Sequence, residues 1–292
     1  MFSGSIVALV TPFNSDGEVD FDSLKKLVEH HIAAGTDGIV AVGTTGESAT
    51  LTIEEHVKVV TKVVEFAEGR IPVIAGTGAN ATHESVTFSR LLNGSGIVGC
   101  LSVTPYYNKP NQEGIFQHFK AVNDAVDIPI VVYNIPGRSV IDITNATMAR
   151  LSTLPNVIGC KDATGDVTRV TSLKDLCGDD FIQLSGDDPS SLGHSVHGGR
   201  GAISVGSNVA PAQCAAVHNA CLAGDYAAAK QIHESLDGLH KDLFLDPSPS
   251  PAKFALSLLG KMGTDVRLPI TPCVPSTETA VKSAMRRAGV DF

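Results

Sequence analysis

Short apolar runs closed by polar turns alternate, along most of the chain, with stretches whose apolar residues recur at helical spacing. The runs are Gly4 to Val10, Gly38 to Val42, Ile71 to Ala75, Gly99 to Val103, Pro129 to Tyr133, Val157 to Lys161, Phe181 to Ser185 and Gly201 to Val205. Each is too short and too uniformly apolar for a half-exposed strand, and reads instead as a strand buried on both faces, as parallel sheets require. Between them lie helical patterns. Leu24, Leu27, Val28 and Ile32 follow candidate N-caps at Asp20 and Asp22 and stop at Gly35. Val57, Val60, Val64 and Ala67 follow a capping-box pair, Thr52 and Glu55. Val167, Val170, Leu173 and Leu176 follow the Val157 run. Eight such strand and helix pairs by about Ala223 predict an α/β fold, a (β/α)8 TIM barrel. Further helices are expected over Ala227 to Leu243, Ala252 to Leu259 and Glu278 to Ala288, giving a catalytic barrel over 1–224 and a C-terminal helical extension over 225–292.

A chain of 292 residues with 43% hydrophobic content can bury the core such a barrel needs. Its net charge of -9 argues against a nucleic-acid partner, which demands a basic surface. The six cysteines are widely spaced without a C-x-x-C pair, as expected of reduced, packed thiols. The apolar run Ile6 to Val10 has no positive segment before it and is ended by Thr11-Pro12, too short for a signal or a membrane span. These features predict a soluble, cytoplasmic protein with no membrane partner.

In a barrel, residues just beyond each strand face one shared cavity. Here they are Thr44, Thr45, Tyr107, Tyr133, Arg138, Lys161, Gly186 and Ile203. Lys161 stands where a strand leaves the core, and a partly desolvated amine there has a lowered pKa and can attack a carbonyl. A neighbouring phenol can move protons at the resulting imine. Backbone N–H groups around Gly43 to Gly46 can receive a carboxylate, and Arg138 can clamp a second one. The set suits a small keto acid and an acidic partner. Zinc, nucleotide and serine-hydrolase motifs are absent: His83-Glu84 lacks a second histidine, and there is neither a P-loop nor a G-x-S-x-G elbow. Gly76-Thr77-Gly78-Ala79-Asn80-Ala81 has the form of a dinucleotide turn, but no acidic residue ends the next strand, so these glycines read as a tight turn. No metal and no cofactor is expected.

The segments Gly43-Thr44-Thr45-Gly46-Glu47, Thr104-Pro105-Tyr106-Tyr107-Asn108, Tyr133-Asn134-Ile135-Pro136-Gly137-Arg138 and Gly159-Cys160-Lys161-Asp162-Ala163-Thr164-Gly165 closely resemble those of the dihydrodipicolinate synthases, within the pyruvate-dependent class I aldolases. The likeness runs from Phe2 to Pro269. It implies that Lys161 forms a Schiff base with pyruvate, whose enamine attacks L-aspartate 4-semialdehyde. It further implies proton transfer by Tyr133 through Thr44 and Tyr107, with Tyr107 supplied by a neighbouring subunit of a homotetramer built as a dimer of dimers. Thr45 resembles the pyruvate-carboxylate binder and Arg138 the semialdehyde-carboxylate binder, while Gly186 and the Ile203 carbonyl line the lysine.

Feedback inhibition by L-lysine is also implied, at Ser48, Ala49, His56, Asn80, Glu84 and Tyr106. Ile53 departs from the histidine that sensitive bacterial relatives often carry there, so weaker inhibition is expected. Two other readings stand beside this one. One is an N-acetylneuraminate lyase-like or keto-deoxy-sugar-acid aldolase, against which Arg138 and Thr44-Thr45 with Tyr107 weigh. The other is a catalytically silent barrel binding a small anion through Gly198-Gly199-Arg200-Gly201 and the eighth strand end.

Overall fold

The computed structural model describes residues 2–292. Eight parallel strands close into a barrel in chain order: β1 (Gly4–Ala8), β2 (Gly38–Ala41), β3 (Val73–Gly76), β4 (Gly99–Val103), β5 (Ile130–Asn134), β6 (Val157–Asp162), β7 (Ile182–Ser185) and β8 (Gly201–Ser204). The ring is sealed by β1 against β8, where Gly4 pairs with Gly201 and Ile6 with Ile203. Around it run α1 (Phe21–Ala33), α2 (Ile53–Ala67), α3 (Thr82–Leu92), α4 (Gln112–Asn123), the short α5 (Pro136–Ser139), α6 (Asn145–Leu151), α7 (Thr168–Cys177), α8 (Ser191–Val196) and α9 (Pro211–Leu222). The chain ends in α10 (Tyr226–Asp242), α11 (Ser250–Leu258) and α12 (Pro275–Arg287). The barrel and its C-terminal helices are those the alternation predicts. Among the described residues, no helix is long and apolar enough to cross a membrane.

Alternate residues of each strand point inward, so Ile6, Ile74, Leu101, Val131, Tyr133, Leu184 and Ile203 fill the barrel while their neighbours pack outward under the helices. This parity carries Lys161 inward, since it is registered beside Tyr133 between β5 and β6.

Local signals act as expected at the helix starts. Asp20 accepts the Ser23 N–H at the head of α1, and Thr52 and Glu55 form both bonds of a capping box on α2. Two packing faces differ from expectation. The buried side of α2 is His56, Val59, Val60, Val63 and Ala67, rotated from the expected Val57, Val60, Val64 and Ala67. His56 turns inward because its Nε2 bonds the Gly76 carbonyl at 2.7 Å and its ring stacks on Phe88. Leu176, expected in the core, is exposed near the end of α7.

Gly76 and Gly78 are not the residues of a tight turn. Neither has a positive φ. A Cβ at Gly76 would collide with the Val42 carbonyl oxygen, and one at Gly78 with the Val103 N–H. Both glycines let neighbouring strand exits approach each other. The tetrapeptide Gly198 to Gly201 also differs from its anion-binding reading, because it enters β8 and so lies at the opposite end of the barrel from the strand exits. The Arg200 guanidinium there donates to the Asp179 carbonyl at 2.7 Å.

Gly76→Ala is expected to destabilise the fold by about 1–3 kcal/mol through this overlap. Thermal unfolding measures it, and an unchanged midpoint would contradict the close approach.

Candidate active site

At the strand exits, β5 and β6 bring Tyr133 and Lys161 together. The Lys161 Nζ lies 4.1 Å from the centroid of the Tyr133 ring. Both side chains are buried, 6% exposed for Lys161 and 5% for Tyr133. Gly186, just after β7, closes on the lysine stem: a Cβ there would sit 2.7 Å from the Lys161 Cε. A side chain at that position would displace the amine, which accounts for glycine. Ile203 is fully buried in the same interior layer.

Removal from water dominates the electrostatics. Burial lowers Lys161 from the usual lysine value of 10.5 to about 7; the Asp188 carboxylate opposes that shift and the Arg138 guanidinium adds to it. A substantial fraction of the amine is therefore unprotonated, and nucleophilic, near neutral pH. Burial raises the Tyr133 phenol above its ordinary range, against the opposing pull of Arg138 and of the Thr44 hydroxyl beside it. Tyr133 thus stays protonated at neutral pH and is not a standing phenolate.

Thr44 and Thr45 sit on a strained loop. Val42 and Glu47, at its two ends, both have left-handed backbones, at φ 54° and 57°. For a β-branched residue such a φ costs about 1–3 kcal/mol, so surrounding bonds must enforce it. They do. Gly46 and Ser48 donate N–H groups to the Gly43 carbonyl, and the Thr11 hydroxyl donates to the Gly46 carbonyl at 2.7 Å. Glu47 is buried, with Oε1 2.5 Å from the Lys253 Nζ on α11 and Oε2 accepting the Arg267 N–H at 3.0 Å. Arg267 also forks onto Glu55, at 2.8 and 2.6 Å, and donates to the Gly17 and Thr50 carbonyls. The loop is therefore anchored from the C-terminal region. Lys253, Arg267 and Asp188 went unnoticed in the sequence reading of the site; a lysine with no polar neighbour in Pro251-Ala252-Lys253-Phe254-Ala255 was the one available sign of the first.

Of the expected set, the chain draws Lys161, Tyr133, Thr44, Thr45, Gly186 and Ile203 to this end, with Arg138 exposed on α5 yet near enough to bias Lys161 and Tyr133. Tyr107 is different. It follows β4 with φ 72°, and its side chain is 86% exposed.

Beside the rim, a cavity of about 340 Å³ is lined by Ser48, Ala49, His56, Glu84 and Tyr106 together with Ile53. Asn80 is outside the lining, its carbonyl accepting from the Asn108 amide at 2.8 Å. His56 forms wall more than contact surface, being 2% exposed and engaged with Gly76.

A closed barrel that holds a desolvated amine against a phenol at its strand exits belongs to the imine-forming barrel enzymes, the Schiff-base lyases. More particularly, the chain belongs to the dihydrodipicolinate synthetase family, whose model it matches over residues 1–288. It is similar to the dihydrodipicolinate synthase of Aquifex aeolicus (44% identity, TM-score 0.96, 99% of both chains covered). It is equally similar to the chloride-inhibited dihydrodipicolinate synthase of Acinetobacter baumannii solved in complex with pyruvate (44%, TM-score 0.97, 100% of both chains). The enzyme of Cyanidioschyzon merolae, solved with lysine bound, is 38% identical with a TM-score of 0.96 and 99% of both chains covered. The sugar-acid aldolase reading is not favoured by these likenesses.

The depressed lysine has a consequence for stability. Unfolded, Lys161 holds its proton up to about 10.5; folded, only up to about 7. The unfolded chain thus binds that proton more tightly, and stability falls as pH drops from the first value toward the second. Lys161→Met removes the penalty and is expected to stabilise the fold at pH 7 by a few kcal/mol, with the gain vanishing toward pH 10.5. Denaturation of both proteins across this range tests it; a gain independent of pH would refute it.

Proposed function

We propose that Lys161 is the amine through which this chain condenses pyruvate with L-aspartate 4-semialdehyde to give 4-hydroxy-tetrahydrodipicolinate. The observation that carries the assignment is the buried Nζ held 4.1 Å from the Tyr133 ring centroid at the strand exits. The neutral amine adds to the pyruvate ketone, and loss of water leaves a protonated imine that acidifies the adjacent methyl group. Tyr133, with Thr44 beside it, accepts and returns the protons. The enamine carbon then bonds to the aldehyde carbon, whose oxygen takes a proton. Attack of the semialdehyde amine on the imine carbon closes the ring and frees Lys161.

In this reading Thr45 holds the pyruvate carboxylate, Arg138 clamps the carboxylate of the semialdehyde, and Gly186 with the Ile203 carbonyl frames the lysine. Tyr107 completes the proton relay from a neighbouring subunit of a dimer of dimers; an exposed tyrosine with a left-handed backbone suits a residue held in place by a second chain. The C-terminal helices beyond residue 224 serve the barrel by bracing Glu47. A cytoplasmic location fits a pathway enzyme with small soluble substrates.

Borohydride treatment with pyruvate is expected to fix a pyruvyl adduct on Lys161, detectable by mass spectrometry; its absence would refute the assignment. With that adduct present, Tyr133→Phe is expected to lower turnover about 10²- to 10³-fold in a coupled assay with both substrates.

The cavity at Ser48, Ala49, Glu84 and Tyr106 is our site for L-lysine, with Glu84 facing its ammonium. Ile53 offers that ligand no hydrogen bond, so inhibition weaker than in histidine-bearing relatives is expected. Initial rates measured against rising lysine should fall, and Glu84→Gln should raise the half-inhibitory concentration about 10-fold. A rate indifferent to lysine would dispose of this site.

A further inference from the structure

Beyond the lysine and the phenol, a buried acidic group at the β7 and β8 exits takes no part in the scheme above. Asp188 follows the β7 turn and is 6% exposed. A single oxygen, Oδ2, accepts two backbone N–H groups, from Val205 at 3.0 Å and Gly206 at 2.8 Å, where the chain leaves β8. The seam it spans is the thinnest in the barrel. Only Ser185 and Ala202 are registered between β7 and β8, whereas every other seam has three or more pairs. Side-chain bonds from Asp188 therefore add, at the exit end of this seam, to a backbone ladder that includes the Arg200 N–H to Gln183 carbonyl bond at the other end. The two exits so joined carry Gly186, which packs on the Lys161 stem, and Ile203, whose carbonyl we place beside the amine.

The charge of this carboxylate has few other partners. Facing it are Cys214 and His218 on α9, His240 on α10 and Lys161 on β6, with Asp187 next to it in its own turn. His233 on α10 packs on His240 at 4.9 Å between ring centroids and lines the same small cavity, while His194 on α8 lies toward His218. Burial holds His218 at about 4, lowers His240 and keeps the Cys214 thiol protonated. Burial thus disfavours the charged forms of these three groups, and among the other groups near Asp188 is Lys161, whose charged form the carboxylate favours. That matters most after the amine has reacted, because a protonated imine is a cation in a desolvated site.

We propose that Asp188 is a positioning residue for Lys161, fastening the β7 and β8 exits beside the amine and standing as the fixed counter-charge to its cationic imine. The proposal rests on the assignment of Lys161 as the imine-forming amine.

Asp188→Asn separates the two contributions, because an amide oxygen can still accept both N–H groups while the charge is gone. Without the negative charge the ammonium is less favoured, so the acid limb of kcat/KM, and of borohydride-trapped pyruvyl adduct, is expected to move to lower pH by about one unit. The plateau kcat is expected to fall about 10-fold or more, since the imine loses its counter-charge. Asp188→Glu, which keeps the charge, should leave the acid limb in place. An Asp188→Asn protein that loses activity or thermal stability with its acid limb unmoved would overturn the counter-charge and leave a structural residue. Should Asp188→Asn fail to fold, Asp188→Ser carries the same comparison of acid limbs. Absence of adduct in the unsubstituted protein would instead refute the role of Lys161, so the two failures are distinguishable.

Discussion

Keeping one primary amine out of water is the constraint on which this molecule turns. A lysine that reached solvent from a strand end would stay protonated, and the phenol beside it would be an ordinary surface tyrosine. Lys161 is instead carried inward by strand parity, walled by Tyr133 on β5 and pressed by the backbone of Gly186 beyond β7. The desolvation that makes the amine nucleophilic also opposes folding, because the proton binds better in the unfolded chain. The offset comes from the apolar layers inside and outside the barrel, whose burial stabilises by about 25 cal/mol for each Å² withdrawn from water.

A second demand is met at long range. The hydroxyls of Thr44 and Thr45 stand on a loop whose backbone is unfavourable at both ends, and its own turn bonds to the Gly43 carbonyl are joined by a hold from outside. Glu47 supplies the hold by reaching Lys253, itself fully buried and stacked against the Phe13 ring at 4.1 Å, and by accepting from Arg267. A buried pair of this kind adds little net stability over an apolar replacement, but removing one partner costs about 3–5 kcal/mol by stranding the other charge. Its value here is geometric. It fixes a loop that would otherwise relax, and it makes the helices after the barrel part of the site's support.

What the sequence disclosed follows from how local each signal is. The alternation of apolar runs and helical patterns spelled out the barrel because each unit is contiguous, and the Thr52–Glu55 capping box is a four-residue pattern that needs no distant partner. Lys161 and Tyr133 were visible because the end of an apolar run marks the rim wherever the strand lies. Contacts between separate segments were not. Glu47 with Lys253, Asp188 with Val205, and His56 with Gly76 join residues whose proximity exists only once strands and helices have packed together. The His56 bond lies on a face of α2 that the expected valine pattern did not include. Gly76 and Gly78 were misread for the same reason: a turn is a local explanation for glycine, whereas the adjacent exits of β2 and β4 supply the real one. Gly198 to Gly201 erred in direction, since residues that enter a strand and residues that leave it look alike in composition but lie at opposite ends of the ring.

The strained loop also bears on how the cavity and the rim can communicate. Ser48 and Ala49 line the cavity on one side of Glu47, while Thr44 and Thr45 stand at the rim on the other. A ligand can bias the rim only through an element that has two arrangements differing in free energy, and a rigid ladder of strands offers none. A backbone held against its own preference at Val42 and Glu47 is less firmly committed than that ladder, because its strain lowers the cost of leaving the observed arrangement. The anchor that holds the Thr44 loop is then the same one that a ligand pressing on Ser48 would work against.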